Sequence, residues 1–128
     1  MQTAITRGVK VSVETFYQLD YSNPLKGEFM FAYRITIVNQ SEQTLQLLSR
    51  HWHIVDANGV EKEIEGEGVV GQQPILRPNE TYQYVSGCNL NTEIGKMFGT
   101  YLMINVSNGK KFKVNIPVFQ LVASQKLN

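Results

Sequence analysis

The sequence predicts an all-β domain, and three observations carry that reading. Apolar residues recur with a period of two in almost every segment, as side chains do when they alternate between the faces of a sheet. Gly, Asn and Pro punctuate the chain at intervals that suit short turns between strands. No stretch keeps the 3.6-residue apolar period of a helix, and the segment 89–97 has room for one helical turn at most.

The elements follow in order. Val9, Val11 and Val13 alternate with Lys10, Ser12 and Glu14; Phe29, Phe31, Tyr33, Ile35 and Ile37 then line one face of a long strand. Leu48, Trp52 and Ile54 line the next, followed by Tyr82 and Tyr84, by Leu102, Ile104 and Val106, and by Phe112, Val114 and Ile116. Asn58-Gly59 and Asn108-Gly109 predict hairpins that join 48–56 to 60–65 and 100–107 to 110–117, through type I′ turns with positive φ at both central residues. Pro78-Asn79 closes a further turn, and Ser22-Asn23-Pro24 sits in a longer loop. Seven or eight strands so connected predict a two-sheet sandwich of immunoglobulin or fibronectin type III-like kind. It forms one domain over residues 1–128, with a core at about 9–122 and a short flexible tail from Ser124 to Asn128.

Composition narrows the function. Twelve Lys and Arg stand against eleven Asp and Glu, a formal charge of +1, so the basic surplus that nucleic-acid binding needs is missing. Cys88 is the one cysteine, which rules out an internal disulfide and fits a reducing compartment. Met1 to Arg7 lacks the apolar run of a signal peptide and no later stretch suits a membrane span. The expectation is a cytoplasmic protein with no membrane insertion.

Five features invite a site or a contact. Gly66-Glu67-Gly68-Val69-Val70-Gly71 matches G-x-G-x-x-G in form. The strand before it, Glu61 to Glu65, is too charged for a buried parallel strand, and Pro74 would cut short the helix that a dinucleotide fold requires. What remains is a loop whose glycines serve positive φ, or an anion-binding nest of backbone amides. His51 and His53 share a strand face, with Trp52 turned the other way. Two imidazoles without a nearby Cys or Asp cluster do not complete a metal set, so these read as half-exposed sheet histidines and no metal residues are assigned. Glu61, Glu63, Glu65 and Glu67 form an acidic stripe, read as a solvated edge or a weak Mg²⁺ binder, with Lys62 as an inward charge on the opposite face. Ser86-Gly87-Cys88 has no partnered base in sequence, so no catalytic residue and no cofactor are assigned. Finally, Phe29 to Tyr33 and Val118 to Val122 are apolar on both faces, which calls for a cover by a terminal segment or for a partner contact.

Several strings occur in a set order: Arg50-His51-Trp52-His53-Ile54-Val55-Asp56-Ala57-Asn58-Gly59; Gly66 to Pro74; Tyr84-Val85-Ser86-Gly87-Cys88; the spaced Gly95, Met97, Gly99, Tyr101 and Met103; and Ile116-Pro117-Val118-Phe119. Together they resemble the ApaG family over roughly residues 9 to 122, with His53 departing from the aliphatic residue expected there. The resemblance implies a fibronectin type III-like sandwich in a bacterial cytoplasmic protein associated with Co²⁺ and Mg²⁺ efflux, often encoded beside a diadenosine tetraphosphate hydrolase. It also implies interaction modules, as in similar domains of eukaryotic F-box proteins and of a polymerase-interacting protein. The functional expectation is a non-enzymatic binding module with a protein partner or a second copy of itself. The alternatives are a sensor of a phosphate-bearing small ligand at Gly66–Gly71 and a weak divalent-metal binder.

Overall fold

The computed structural model describes residues 1–123; the expected tail from Ser124 to Asn128 lies outside the described residues. Nine strands follow in order: β1 (Gln2–Thr6), β2 (Val9–Tyr17), β3 (Phe29–Asn39), β4 (Leu45–Asp56), β5 (Glu61–Glu67), β6 (Ile75–Leu76), β7 (Thr81–Leu90), β8 (Ile94–Asn105) and β9 (Lys111–Val122). They form two antiparallel sheets, β1-β2-β3-β7 and β5-β4-β8-β9, with the short β6 added to β4. The expected sandwich is what forms.

The period of two becomes the core. Val11, Ile35 and Ile37 from the first sheet are wholly buried, as are Leu47, Tyr101 and Leu121 from the second. Tyr33 reaches across to Trp52 and Phe119, with ring centroids 5.5 and 5.8 Å away, so three aromatics from β3, β4 and β9 lock the sheets together. One long side of the sandwich is closed, because β9 runs beside β1 and β2 and the Asn115 amide donates to Thr6 Oγ1. On the other side, among the described residues, β5 and β7 each have a neighbour on one edge only.

The expected hairpins form, but their turns differ from type I′. Asn58 and Asn108 keep negative φ, and only Gly59 and Gly109 are left-handed. The Asp56 carboxylate accepts from the Asn58 and Val60 amides, and Asn105 Oδ1 accepts from the Ser107 amide, so side chains complete turns longer than two residues. Positive φ at both central residues occurs instead at Arg7-Gly8, between β1 and β2, and at Val70-Gly71. The segment 89–97 holds no helical turn: β7 runs to Leu90, a bend follows, and β8 starts at Ile94. The short helical turns are 3₁₀ and lie in the loop after β2, at Leu19–Tyr21 and Pro24–Lys26, where Ser22 accepts from the Met30 amide.

Candidate functional site

Strand β7 is an edge strand that pairs with β3 along one side. Asn39 donates to the Glu80 carbonyl and Gln40 donates to the Gly8 carbonyl, so the odd residues of β3 bond β7 and the even ones bond β2. Through the observed register, Tyr82, Tyr84, Ser86, Cys88 and Leu90 bond β3. Thr81, Gln83, Val85, Gly87 and Asn89 turn their N–H and C=O groups away from it, and all five are exposed. From Thr81 to Leu90 there is no proline and no charge. Beside this edge, on the outer face, the half-buried Met30 and Ala32 of β3 lie next to exposed Phe16 and Val85. The two-sided apolar strand thus keeps part of its outer face open, and β1 pairs in the plane of the sheet rather than lying across it. Arg34 bridges to both carboxylate oxygens of Glu14 at 2.9 and 3.1 Å and lies over the Phe16 ring. Its hydrogen bonds hold the Glu14 carboxyl below the ordinary range, against a smaller opposing cost of burial.

The glycine loop is a tight turn tied to its neighbours. Val69 and Gln72 exchange both backbone hydrogen bonds, at 2.8 and 2.9 Å, around Val70-Gly71. The Gly68 amide donates to Leu48, and Arg50 Nη1 donates to the carbonyls of Glu67 and Gly68 at 2.9 and 3.0 Å. A Cβ on Gly68 would lie 2.3 Å from the Gln72 oxygen, and one on Gly66 would lie 2.9 Å from the Arg50 guanidinium. Gly66 therefore serves close approach, and Gly68 serves both close approach and positive φ. No helix opens here; the chain passes Pro74 into β6. A shallow cleft of about 420 Å³ adjoins the loop, lined among others by Arg50, Glu65, Glu67 and Lys113.

His51, His53 and the glutamate stripe come together on the outer face of the second sheet. Pairing of β4 with β5 sets His51 opposite Glu65 and His53 opposite Glu63. The nearest contact joins His51 Nε2 to Glu63 Oε2 at 2.9 Å. Lys62 faces inward across from Ile54, at a narrow cleft with Leu90 and Asn91, yet stays exposed at the sandwich edge.

Among the described residues, Cys88 and the two histidines do not come together as a nucleophile and base. Cys88 is buried on the core side of β7, whereas both histidines face solvent from the opposite sheet. Burial pushes the Cys88 thiol up to about 11, with Lys62 offsetting part of the rise. Two features escaped the sequence reading. Arg50 clasps a loop 17 and 18 residues away, and Phe98 stacks on His53 at 4.9 Å with an interplanar angle of 8°.

The ApaG domain profile matches residues 19–105. Protein ApaG of Brucella anthropi is 50% identical over 121 residues, covering 94% of this chain and 92% of that protein. Protein ApaG of Brucella canis is 49% identical over the same shares. A crystal structure of an ApaA protein from Bordetella pertussis shares 44% identity and superposes with a TM-score of 0.87, covering 89% of this chain and 92% of that one. A protein from Archaeoglobus fulgidus, 10% identical with a TM-score of 0.51 over 87% of this chain and 94% of that one, shares the fold alone.

Proposed function

The chain belongs to the ApaG domain family, and from that premise we propose that it is a non-enzymatic cytoplasmic module that takes an extended segment of a protein partner onto the free edge of β7. The observation that carries this reading is a ten-residue edge strand without charge or proline. Sheet proteins usually blunt such an edge with lysine, proline, a bulge or a covering element. Strand addition would satisfy the outward groups of Thr81, Gln83, Val85, Gly87 and Asn89, while Val85, Phe16 and the Arg34–Glu14 pair read the incoming side chains. The Co²⁺ and Mg²⁺ efflux association that the resemblance implies would then run through the partner. A second copy of the chain could occupy the same edge.

Val85→Pro tests this directly. The Val85 amide is not used by β3, so proline there leaves the sheet intact but removes a donor from the edge. The expected result is loss of partner capture, or of self-association in sedimentation, with an unchanged far-UV circular dichroism spectrum. Retention of the same partner by the variant would overturn the reading.

A second reading rests on the cleft beside Gly66–Gly71, where Arg50 and Lys113 could meet a phosphate-bearing ligand. Thermal shift against pyrophosphate, ATP and dinucleoside polyphosphates tests it, since a ligand at a hundred times its Kd stabilises by about 2.7 kcal/mol. Lys113→Gln is the suitable variant and should cancel the shift. Gly68 is unsuitable, because any side chain there collides with Gln72.

A further inference from the structure

We propose that the solvent face of β4 and β5 is a binding site for a divalent first-row transition-metal ion, held by both histidines and a Glu63 carboxylate oxygen. The three residues offer ligand atoms that all lie within 4.8 Å of one another. Metal bonds from nitrogen and oxygen ligands are about 2.0–2.2 Å long, so small side-chain rotations close the set around one ion.

The pairing of the strands makes the convergence. Glu63 stands opposite His53 and diagonal to His51, so its two oxygens reach both rings: Oε2 lies 2.9 Å from His51 Nε2 and Oε1 lies 3.8 Å from His53 Nδ1. Glu65 and Glu61 flank the set, 3.5 Å from His51 Nε2 and 3.4 Å from His53 Nδ1, and add negative charge beside the ion. The rings are already aligned. His51 stacks on His53 at 4.7 Å, and Phe98 packs against His53 nearly parallel. The side chains of His51, His53 and Glu63 are 34%, 26% and 53% exposed, enough for an ion to enter from solvent.

The ligand types select the metal. Imidazole favours zinc, copper, nickel and iron over magnesium or calcium, and a two-histidine, one-carboxylate set leaves further positions for water or a flanking carboxylate. Plain cross-strand hydrogen bonding would also bring His51 and Glu63 to 2.9 Å. It would give no selectivity for metals with imidazole affinity, and the test turns on that difference.

Untagged full-length protein, stripped with chelator, is titrated with Co²⁺ and followed by its visible ligand-field bands, with Zn²⁺ as competitor. The expected result is one equivalent of Co²⁺ bound, displaced by Zn²⁺ and retained in millimolar Mg²⁺. His53→Leu and Glu63→Gln should each lower the affinity at least about tenfold, since even outer-shell losses cost that much. Glu67→Gln, beyond the set on the same stripe, should leave it unchanged. Metal-free unfolding curves of the variants should match the parent, which separates loss of a ligand from loss of fold. Absence of saturable Co²⁺ and Zn²⁺ binding would overturn the proposal. So would binding that survives both His53→Leu and Glu63→Gln, or that Mg²⁺ displaces as readily as Zn²⁺ does.

Discussion

Asn39, which is buried, and the half-buried Gly99 show how closely backbone and side chain are matched here. Asn39 is fully buried at the end of β3, and its Nδ2 donates to the carbonyls of Gln43 and Leu76 at 2.7 and 2.9 Å. Its Oδ1 accepts from the Ser41 amide and hydroxyl at 3.0 and 2.6 Å. One side chain thus ties the β3–β4 loop to β6. Asn39→Ala leaves the Leu76 carbonyl without its buried donor and removes three part-buried hydrogen bonds as well, and a buried unsatisfied group costs about 1–3 kcal/mol. A urea titration should therefore show a loss of about 3 kcal/mol, as a lower midpoint with an unchanged slope. Gly99 acts through space rather than hydrogen bonds. A Cβ there would lie 2.0 Å from the His51 carbonyl oxygen, on the strand pair that positions Trp52. Gly99→Ala must push β8 from β4 and should cost about 3 kcal/mol or more, the upper range of overpacking. A variant as stable as the parent would mean that the bulge between Met97 and Gly99 absorbs the methyl group by sliding.

At the scale of elements, the β4–β5 hairpin and its loop were partly legible in the sequence. Alternation put His51 and His53 on one face and the glutamates on another strand's face, because side-chain direction along a strand is a local property. That Glu63 would sit between the two histidines depends on the length of the Asp56–Val60 turn. The Asx contacts of Asp56 set that length, and the Asn58-Gly59 signal suggested a shorter one. The free edge of β7 was illegible, since strand order is decided by packing across the whole chain and not by period. The Arg50 clasp was hidden for the same reason: its partners are the carbonyls of Glu67 and Gly68, which carry no side-chain signature. A prediction follows from that clasp. Charge-assisted hydrogen bonds contribute about 1.5–3 kcal/mol each, more than neutral ones. Arg50→Ala should release the turn without unfolding the sandwich. The amides of Gly68 and Gln72 should then exchange at least about tenfold faster in native-state hydrogen exchange, while the buried strands β3 and β8 keep their protection. Equal acceleration throughout would place Arg50 in the global fold instead.

For the whole molecule, the two sheets meet over a core that contains hydroxyl and thiol groups as well as hydrocarbon. Tyr84 and Tyr101 share a hydrogen bond between their hydroxyls in the buried space between β7 and β8, and Cys88 lies farther along β7. Burial raises the pKa of Tyr33, Tyr84, Tyr101 and Cys88, in each case as the largest cause. These groups are neutral when protonated, so above the ordinary values of 9.0 for the thiol and 10.0 for the phenols the unfolded chain loses protons that the native state keeps. The native state then binds more protons, and stability falls as pH rises, by up to about 1.4 kcal/mol per pH unit for each group. Below pH 9 the contribution is complete. Stability should therefore hold level from pH 7 to pH 9 and drop steeply towards pH 11, first through Cys88 and then through the tyrosines. Urea unfolding across that range measures it. Cys88→Ala should move the start of the decline towards pH 10. The double variant Tyr84→Phe with Tyr101→Phe, which removes both hydroxyls and strands neither, should flatten the upper part. A decline of equal slope in both variants would assign alkaline unfolding to groups outside the core.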